Sequence, residues 1–130
     1  MVELALPGAD AATIQGVLAA VTAREAEVST AMGGGLAVPH GRTDLVSQVR
    51  VSAGVVDGVP DYLSPDGIPV QVALLVLTPV SASGLHVRIL ASIAKIMHQP
   101  ASRAALVAAR TPEEFVGVVR LADGLQPVPT

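Results

Sequence analysis

The stretch that decides the fold is Val70-Gln71-Val72-Ala73-Leu74-Leu75-Val76-Leu77, which lies between Pro69 and Pro79. It is a nearly continuous apolar run of strand length, and such runs are typical of a central β-strand that is covered on both faces. The valine-rich segment 49–56 alternates between apolar and polar or small side chains, which predicts a strand with one buried face. Prolines and aspartates over 57–69 predict a loop between these two strands.

Helical periodicity appears on both sides of the two strands. A first helix is predicted over 11–23, where apolar side chains recur at helical spacing and Asp10 can act as the N-cap. Further helices are predicted over 85–98, near 102–109 and from Thr111, whose Thr-Pro-Glu-Glu opening is a helix-start signal. Strands that alternate with helices indicate an α/β fold.

The size and composition fit one compact domain. The chain has 130 residues, of which 51% are hydrophobic, enough for an aliphatic core. We therefore predict a single domain over 1–130, with its core at about 11–121 and a loose tail at 124–130.

Composition also excludes several classes of function. The net charge of -3 and the presence of only one Tyr and one Phe argue against nucleic-acid binding, which uses basic surfaces and stacking rings. Because Cys is absent, there is no disulfide framework and no thiolate zinc site. No apolar run approaches the roughly 20 residues that a membrane-spanning helix needs, and no basic signal region opens the chain. The sequence predicts a soluble, cytoplasmic protein without membrane insertion.

Three histidines are the side chains whose ordinary pKa lies near neutrality, and His40 is the first of them. It ends the segment 32–41, which predicts a glycine-rich loop, a short strand and a turn. Pro39 restrains the chain before the imidazole, and Gly41 leaves space after it. From these neighbours alone, His40 fits either a phosphoryl acceptor, which would use the lone pair of a neutral imidazole, or a surface histidine that caps a turn.

A phosphoryl group on a histidine needs cations or backbone N–H donors, because its transfer spreads negative charge over three oxygens. Arg24 and Arg42 are the candidates, since a guanidinium group matches the geometry of a phosphate. For each arginine the alternative is a solvated surface charge. The choice depends on whether the fold brings the two arginines to His40.

His86 falls in the first turn of the predicted helix over 85–98, where free N–H groups favour an anion. It fits either a contact with the phosphoryl group or a structural role, because the helix dipole disfavours a charged imidazole there. His98 lies at the C-terminal end of the same helix and is predicted to be structural. The sequence contains no histidine or acid–histidine pair at metal-binding spacing, so no metal site is predicted. The glycine run 33–35 is not followed by the lysine of a nucleotide-binding loop.

Three segments, in the same order and spacing, resemble a known family. Glu25, Met32-Gly33 and Leu36-Ala37-Val38-Pro39-His40-Gly41 look like the active-site signature of the mannitol/fructose class of enzyme IIA domains of the bacterial phosphotransferase system. Asp66-Gly67-Ile68-Pro69-Val70 is similar to the loop before the central strand of that family, and 82–90 is similar to its second-histidine helix. The likeness covers about 11–121. The chain departs from the pattern before its first helix, where a strand and a long helix are usual, so a reduced N-terminal layer is expected.

The resemblance implies a mixed β-sheet flanked by helices and a phosphotransfer activity. It implies that His40 accepts the phosphoryl group, that His86 hydrogen-bonds this group, that Arg24 is the active-site arginine and that Arg42 occupies a commonly basic position. No cofactor is implied, because the imidazole itself holds the phosphoryl group. The implied partners are the histidine-containing phosphocarrier protein, or its nitrogen-branch relative, as donor and an enzyme IIB domain as acceptor.

Two functions remain open on this resemblance. One is a phosphocarrier in sugar uptake, and the other is a regulatory binding module of the nitrogen-branch type, whose phosphorylation state controls partner binding. A third reading, a domain that keeps the fold without phosphotransfer, is disfavoured by the presence of both histidines and Arg24.

Overall fold

The computed structural model describes residues 1–27, 29–63 and 65–122, so the predicted loose tail at 124–130 lies outside the described residues. In chain order, these residues form α1 (Val2–Ala5), α2 (Ala11–Glu27), β1 (Ala31–Gly33), β2 (Leu36–Ala37), β3 (His40–Arg42), β4 (Arg50–Leu63), β5 (Pro69–Thr78), α3 (Ser83–Met97), α4 (Pro100–Ala108) and α5 (Pro112–Ala122). Contacts divide the chain into one compact unit over Met1–His86 and a second that begins at Val87. The single domain over 1–130 stays a prediction.

Strand β5 lies at the centre of a mixed sheet, as the apolar run predicts. It pairs antiparallel with β4 along one edge and parallel with β2 and β3 along the other, while β1 adds an antiparallel partner to β2. Six of its side chains expose no more than 2% of their surface, namely Val70, Val72, Leu75, Val76, Leu77 and Thr78. The predicted central strand and the α/β fold with a mixed sheet are confirmed.

Strands β2 and β3 follow the same edge of β5 in one register. Leu36 lies opposite Val72 and His40 lies opposite Val76, so the chain neither gains nor loses a residue between the two strands. Pro39 interrupts the hydrogen-bond ladder because it has no N–H, yet its carbonyl still accepts the Val76 N–H at 3.0 Å. His40 therefore opens a strand, and the turn predicted at this point is wrong.

Strand β4 is longer than its sequence suggests. It continues through 57–63, where a loop was predicted, and its pairing with β5 shifts register between Val55 and Val59 and again between Val59 and Leu63. Such bulges accommodate turn-type residues within a strand, and Gly58 has the positive φ of 145° that favours glycine. Pairing with β5 thus overrides the local turn signals.

Helix α2 packs on the sheet beside β3. The Asp10 carboxylate accepts a hydrogen bond from the Thr13 N–H at 2.8 Å, which confirms the predicted N-cap, although the helix continues to Glu27. A Cβ at Gly41 would lie 3.1 Å from a methyl carbon of Val21, so glycine lets the helix approach the strand that carries His40. Buried side chains from α1, α2, β5 and the segment between β3 and β4 form one core, which comprises Val2, Ala5, Val17, Val21, Val46, Leu75 and Leu77.

The second unit contains most of α3 together with α4 and α5. Its buried apolar side chains are Ile93, Ile96, Met97, Leu106 and Phe115. The Thr111 hydroxyl accepts the Glu114 N–H at 3.1 Å, as predicted for the N-cap of the last helix, and Pro100 opens α4. Within the described part of the chain, no helix combines the length and apolar character needed to cross a membrane.

Candidate active site

The rings of His40 and His86 lie next to each other. Their centroids are 5.3 Å apart, and their planes are tilted by 57°. Pairing with β5 sets the position of His40 at the start of β3, whereas His86 occupies the first turn of α3, where its N–H donates to the Ala82 carbonyl at 2.9 Å. The fold thus brings together the two histidines that the sequence singles out.

His40 is half-buried and has a defined orientation. Its Nδ1 lies 2.9 Å from the Val38 carbonyl oxygen. A carbonyl oxygen only accepts hydrogen bonds, so in the neutral ring the proton lies on Nδ1 and the lone pair lies on Nε2. Among the described residues, none forms a hydrogen bond with this Nε2.

His86 is buried, with 6% of its surface exposed, and is held by a side chain. Its Nδ1 lies 2.6 Å from Oγ1 of Thr78, a fully buried residue at the end of β5. Burial lowers the pKa of His86, and the nearby charges of His40, Arg42 and Arg24 lower it further. His86 is therefore neutral at pH 7.

The charges of both predicted arginines help to lower the pKa of His86. The exposed Arg42, which ends β3, donates from Nη2 to the Val80 carbonyl at 2.8 Å and to the hydroxyl of Ser83 at the start of α3. Arg24 lies half-buried in the last turn of α2, and its charge reaches His86 strongly enough to help lower the pKa of that ring. The site therefore combines two imidazoles with two guanidinium groups.

A hydrogen-bonded cluster surrounds Glu25, the residue after Arg24. The Glu25 carboxylate accepts hydrogen bonds from the Thr30 N–H at 2.9 Å, the Thr30 hydroxyl at 2.7 Å and the Ser29 hydroxyl at 3.4 Å. Burial raises the pKa of Glu25, but hydrogen bonds from Tyr62, Thr30 and Ser29 outweigh it and leave this pKa below its usual value. Burial and the Glu25 carboxylate raise the pKa of Tyr62 to about 12, so its phenol stays protonated.

This cluster is connected to His40 through the backbone. The Thr30 carbonyl accepts the Val38 N–H at 3.2 Å, and the Val38 carbonyl in turn lies 2.9 Å from His40 Nδ1. Glu25 therefore anchors Thr30, Thr30 anchors Val38, and Val38 orients the ring. The sequence indicates Glu25 only as a position in the signature.

Three residues near the site were missed by the sequence reasoning. Thr78 and Ser83 contact site residues, but a threonine that ends a strand or a serine that starts a helix has no distinctive sequence signal. Tyr62 contacts Thr30 from a segment that was predicted to be a loop. Only the pairing of β4 with β5 brings it there.

The other sequence candidates lie outside the histidine pair. Gly34 and Gly35 have φ values of 64° and 79°, which two-residue hairpin turns such as the one between β1 and β2 require. His98 is exposed in the second unit, just after α3, where its N–H donates to the Ala94 carbonyl at 3.0 Å. Among the described residues, no group of three or more histidine, cysteine, aspartate or glutamate side chains could hold a metal ion.

The half-buried imidazole of His40 therefore lies beside the buried imidazole of His86, and the charges of two guanidinium groups reach His86. Comparison with known proteins then identifies the family. Residues 5–120 match the family described as "Phosphoenolpyruvate-dependent sugar phosphotransferase system, EIIA 2". The chain belongs to this family of phosphotransfer components, as the sequence resemblance implies.

Individual relatives fall into two groups. The chain is 32% identical over 98 residues to a nitrogen regulatory protein of Bradyrhizobium diazoefficiens. The aligned region covers 75% of this chain and 64% of that protein. It is 32% identical over 84 residues to the PTS system fructose-specific EIIA component of Haloferax volcanii, covering 63% of this chain and 54% of that protein. The chain thus spans less than two-thirds of the length of either relative.

Among solved structures, the nitrogen regulatory protein IIA-Ntr of Neisseria meningitidis is similar. Its TM-score is 0.76 at 31% sequence identity, and the match covers 82% of this chain and 73% of that one. The similarity includes both sugar-system and nitrogen-regulatory proteins, so family membership alone does not choose between the two roles.

Proposed function

We propose that this protein is a cytoplasmic phosphocarrier, which accepts a phosphoryl group on His40 from the histidine-containing phosphocarrier protein and passes it to an enzyme IIB domain. The observation that carries the proposal is the 2.9 Å contact between His40 Nδ1 and the Val38 carbonyl, because it leaves the Nε2 lone pair as the nucleophile. Membership of the phosphotransferase family supports the same chemistry.

In the accepting step, the Nε2 lone pair of His40 attacks phosphorus and forms a new N–P bond. The N–P bond of the donor breaks, and its electron pair returns to the donor imidazole. In the onward step, the nucleophile of the acceptor attacks phosphorus while the His40 N–P bond breaks and its electron pair returns to Nε2. The imidazole carries the group itself, so no cofactor is required.

His86, Arg24 and Arg42 would stabilise the charge on the phosphoryl oxygens. A neutral His86 can donate one hydrogen bond from its ring, and the two guanidinium groups supply positive charge. The hydrogen bonds from Arg42 to Val80 and Ser83 hold its guanidinium group at the start of α3. In this proposal His40 carries the phosphoryl group, and the other three residues stabilise its charge.

Intact mass measurement tests the acceptance step. After incubation with phosphoenolpyruvate, enzyme I and the phosphocarrier protein, we expect the mass to increase by one phosphoryl group, about 80 Da. His40→Ala should abolish the increase, whereas His98→Ala should retain it as a matched control, because His98 is an exposed histidine at the end of a helix. A wild-type protein that gains no mass would overturn the proposal.

A regulatory role at the same histidine is the second candidate. It is favoured by the similarity to nitrogen regulatory proteins in both sequence and structure. Transfer of the phosphoryl group from the loaded protein to a purified IIB domain would support the uptake role. Phosphorylation of His40 that is not passed on, but changes which protein is bound, would support regulation.

A further inference from the structure

The hydroxyl of Thr78 is the direct partner of the second histidine. Thr78 is fully buried at the end of β5, and its Oγ1 lies 2.6 Å from His86 Nδ1. The strand holds this threonine firmly, because its carbonyl also accepts the Thr43 N–H at 2.9 Å. The distance is short enough for a hydrogen bond in either direction, and the direction decides where the His86 proton lies.

The surroundings of Thr78 decide that direction. If His86 Nδ1 donated the hydrogen bond, the hydroxyl hydrogen of Thr78 would need another acceptor. Within the described residues, His86 Nδ1 is the one hydrogen-bond partner of this hydroxyl, and an unpaired buried hydroxyl hydrogen is costly. The favoured arrangement therefore has Thr78 donating to Nδ1, so the lone pair of His86 lies on Nδ1 and its proton lies on Nε2.

The two rings consequently have opposite tautomers. His40 has its proton on Nδ1, because Val38 offers only an acceptor, and its Nε2 carries the lone pair. His86 has the reverse arrangement, and burial together with the neighbouring positive charges keeps it neutral by lowering its pKa. The ring centroids are 5.3 Å apart, so the nucleophilic Nε2 of His40 and the Nε2–H donor of His86 belong to adjacent rings.

We propose that Thr78 is a positioning residue, which fixes the Nε2–H tautomer of His86 so that this ring donates a hydrogen bond to the phosphoryl group on His40. The hydrogen bond to the phosphoryl group rests on the proposed function, whereas the tautomer of His86 does not depend on phosphoryl transfer. With the proton on Nδ1 instead, His86 would present a lone pair to a negatively charged group and repel it. Thr78 thus determines whether the second histidine helps or hinders the reaction.

Nitrogen-15 NMR of the histidine rings tests the tautomer directly. In the wild-type protein we expect a neutral His86 with its proton on Nε2 and an unprotonated Nδ1. Thr78→Val keeps the shape of the side chain but removes the donor, so the Nε2–H form should lose its dominance. Thr78→Ser should restore it. A wild-type spectrum with the His86 proton on Nδ1 would overturn the inference, even if the valine variant failed to fold.

Transfer rates test the consequence. Thr78→Val should slow onward transfer by about tenfold, the lower end of the effect of removing a partner that orients a metal-bound histidine. Thr78→Ser should stay within about twofold of wild type, and Thr43→Val provides a control at a threonine whose hydroxyl accepts the Leu45 N–H at 3.2 Å. A valine variant that transfers at the wild-type rate would overturn the positioning role. A wild-type protein that cannot be phosphorylated would overturn the proposed function instead, while the NMR result would still decide the tautomer.

Discussion

The Nδ1 atoms of His40 and His86 face different kinds of hydrogen-bond partner, although the centroids of the two rings are 5.3 Å apart. His40 is half-buried at the start of a strand, and its Nδ1 faces a backbone carbonyl. His86 is buried in the first turn of a helix, and its Nδ1 faces a threonine hydroxyl. A carbonyl is only an acceptor, whereas a hydroxyl can donate, so the two rings carry their protons on different nitrogens. Identical side chains thus acquire different chemistry from the partner of one nitrogen.

The largest expected effect separates the two histidines by the step that each supports. His86→Ala should slow onward transfer by about 100-fold, since it removes a hydrogen-bond donor from the transferring group. Acceptance at His40 should persist, because the nucleophile and the Val38 contact that orients it are intact. Rapid-quench measurement of each step checks this division. Equal losses in acceptance and onward transfer would show that the two rings do not differ in this way.

The hydrogen bonds of Glu25, which anchor the backbone next to His40, predict a smaller effect. This effect is a change in the stability of the protein. Glu25→Gln should lower the free energy of unfolding by about 1–3 kcal/mol, because an amide offers fewer acceptors to the donors of Ser29 and Thr30. Urea denaturation measures the change. Glu27→Gln is the matched control, since this exposed residue lies on the same helix and should change stability little. Equal stability of the two variants would contradict the anchoring role of Glu25.

The burial of His86 predicts the smallest effect, on the pH dependence of stability. Its pKa in the folded protein is lowered from 6.5, so between the folded value and 6.5 the unfolded chain binds more protons. The contribution of neutral His86 to the free energy of unfolding is fully present above pH 6.5. It is lost as the pH falls through the folded pKa, and the free energy of unfolding changes by at most about 1.4 kcal/mol per pH unit.

Denaturation curves at several pH values check this prediction. His86→Asn should remove the part of the slope that begins just below pH 6.5. Glu25, whose pKa is lowered from 4.5, should lose its contribution only at more acidic pH, so both proteins should share that later decline. An unchanged slope below pH 6.5 in the variant would mean that His86 does not titrate differently on folding.

Local signals predicted the parts of the fold that local interactions create. The apolar run at 70–77 correctly predicted the central strand, and the caps at Asp10 and Thr111 correctly marked the starts of two helices. The predictions failed where pairing with a distant strand outweighs local preference. The extension of β4 over 57–63 and the strand that begins at His40 are both imposed by hydrogen bonds to β5.

The candidate site shows the same division. The two histidines were selected because the chain has three histidines and no cysteine, and the two arginines because a guanidinium group matches the geometry of a phosphate. The motifs that contain these residues also resemble a family. Thr78 and Tyr62 were not selected, because a threonine or a tyrosine has many structural uses and only its neighbours make it distinctive.

The sequence by itself indicated an α/β fold, since apolar periodicity is a property of consecutive residues, and its motifs resemble those of the enzyme IIA mannitol/fructose class. Only the tertiary structure decided that His40 opens a strand, that His86 lies beside it, and that their Nδ1 atoms face partners of opposite hydrogen-bonding capacity. The physical reason is that proton positions and charge interactions depend on groups within a few ångströms in space. Those groups come from residues far apart along the chain.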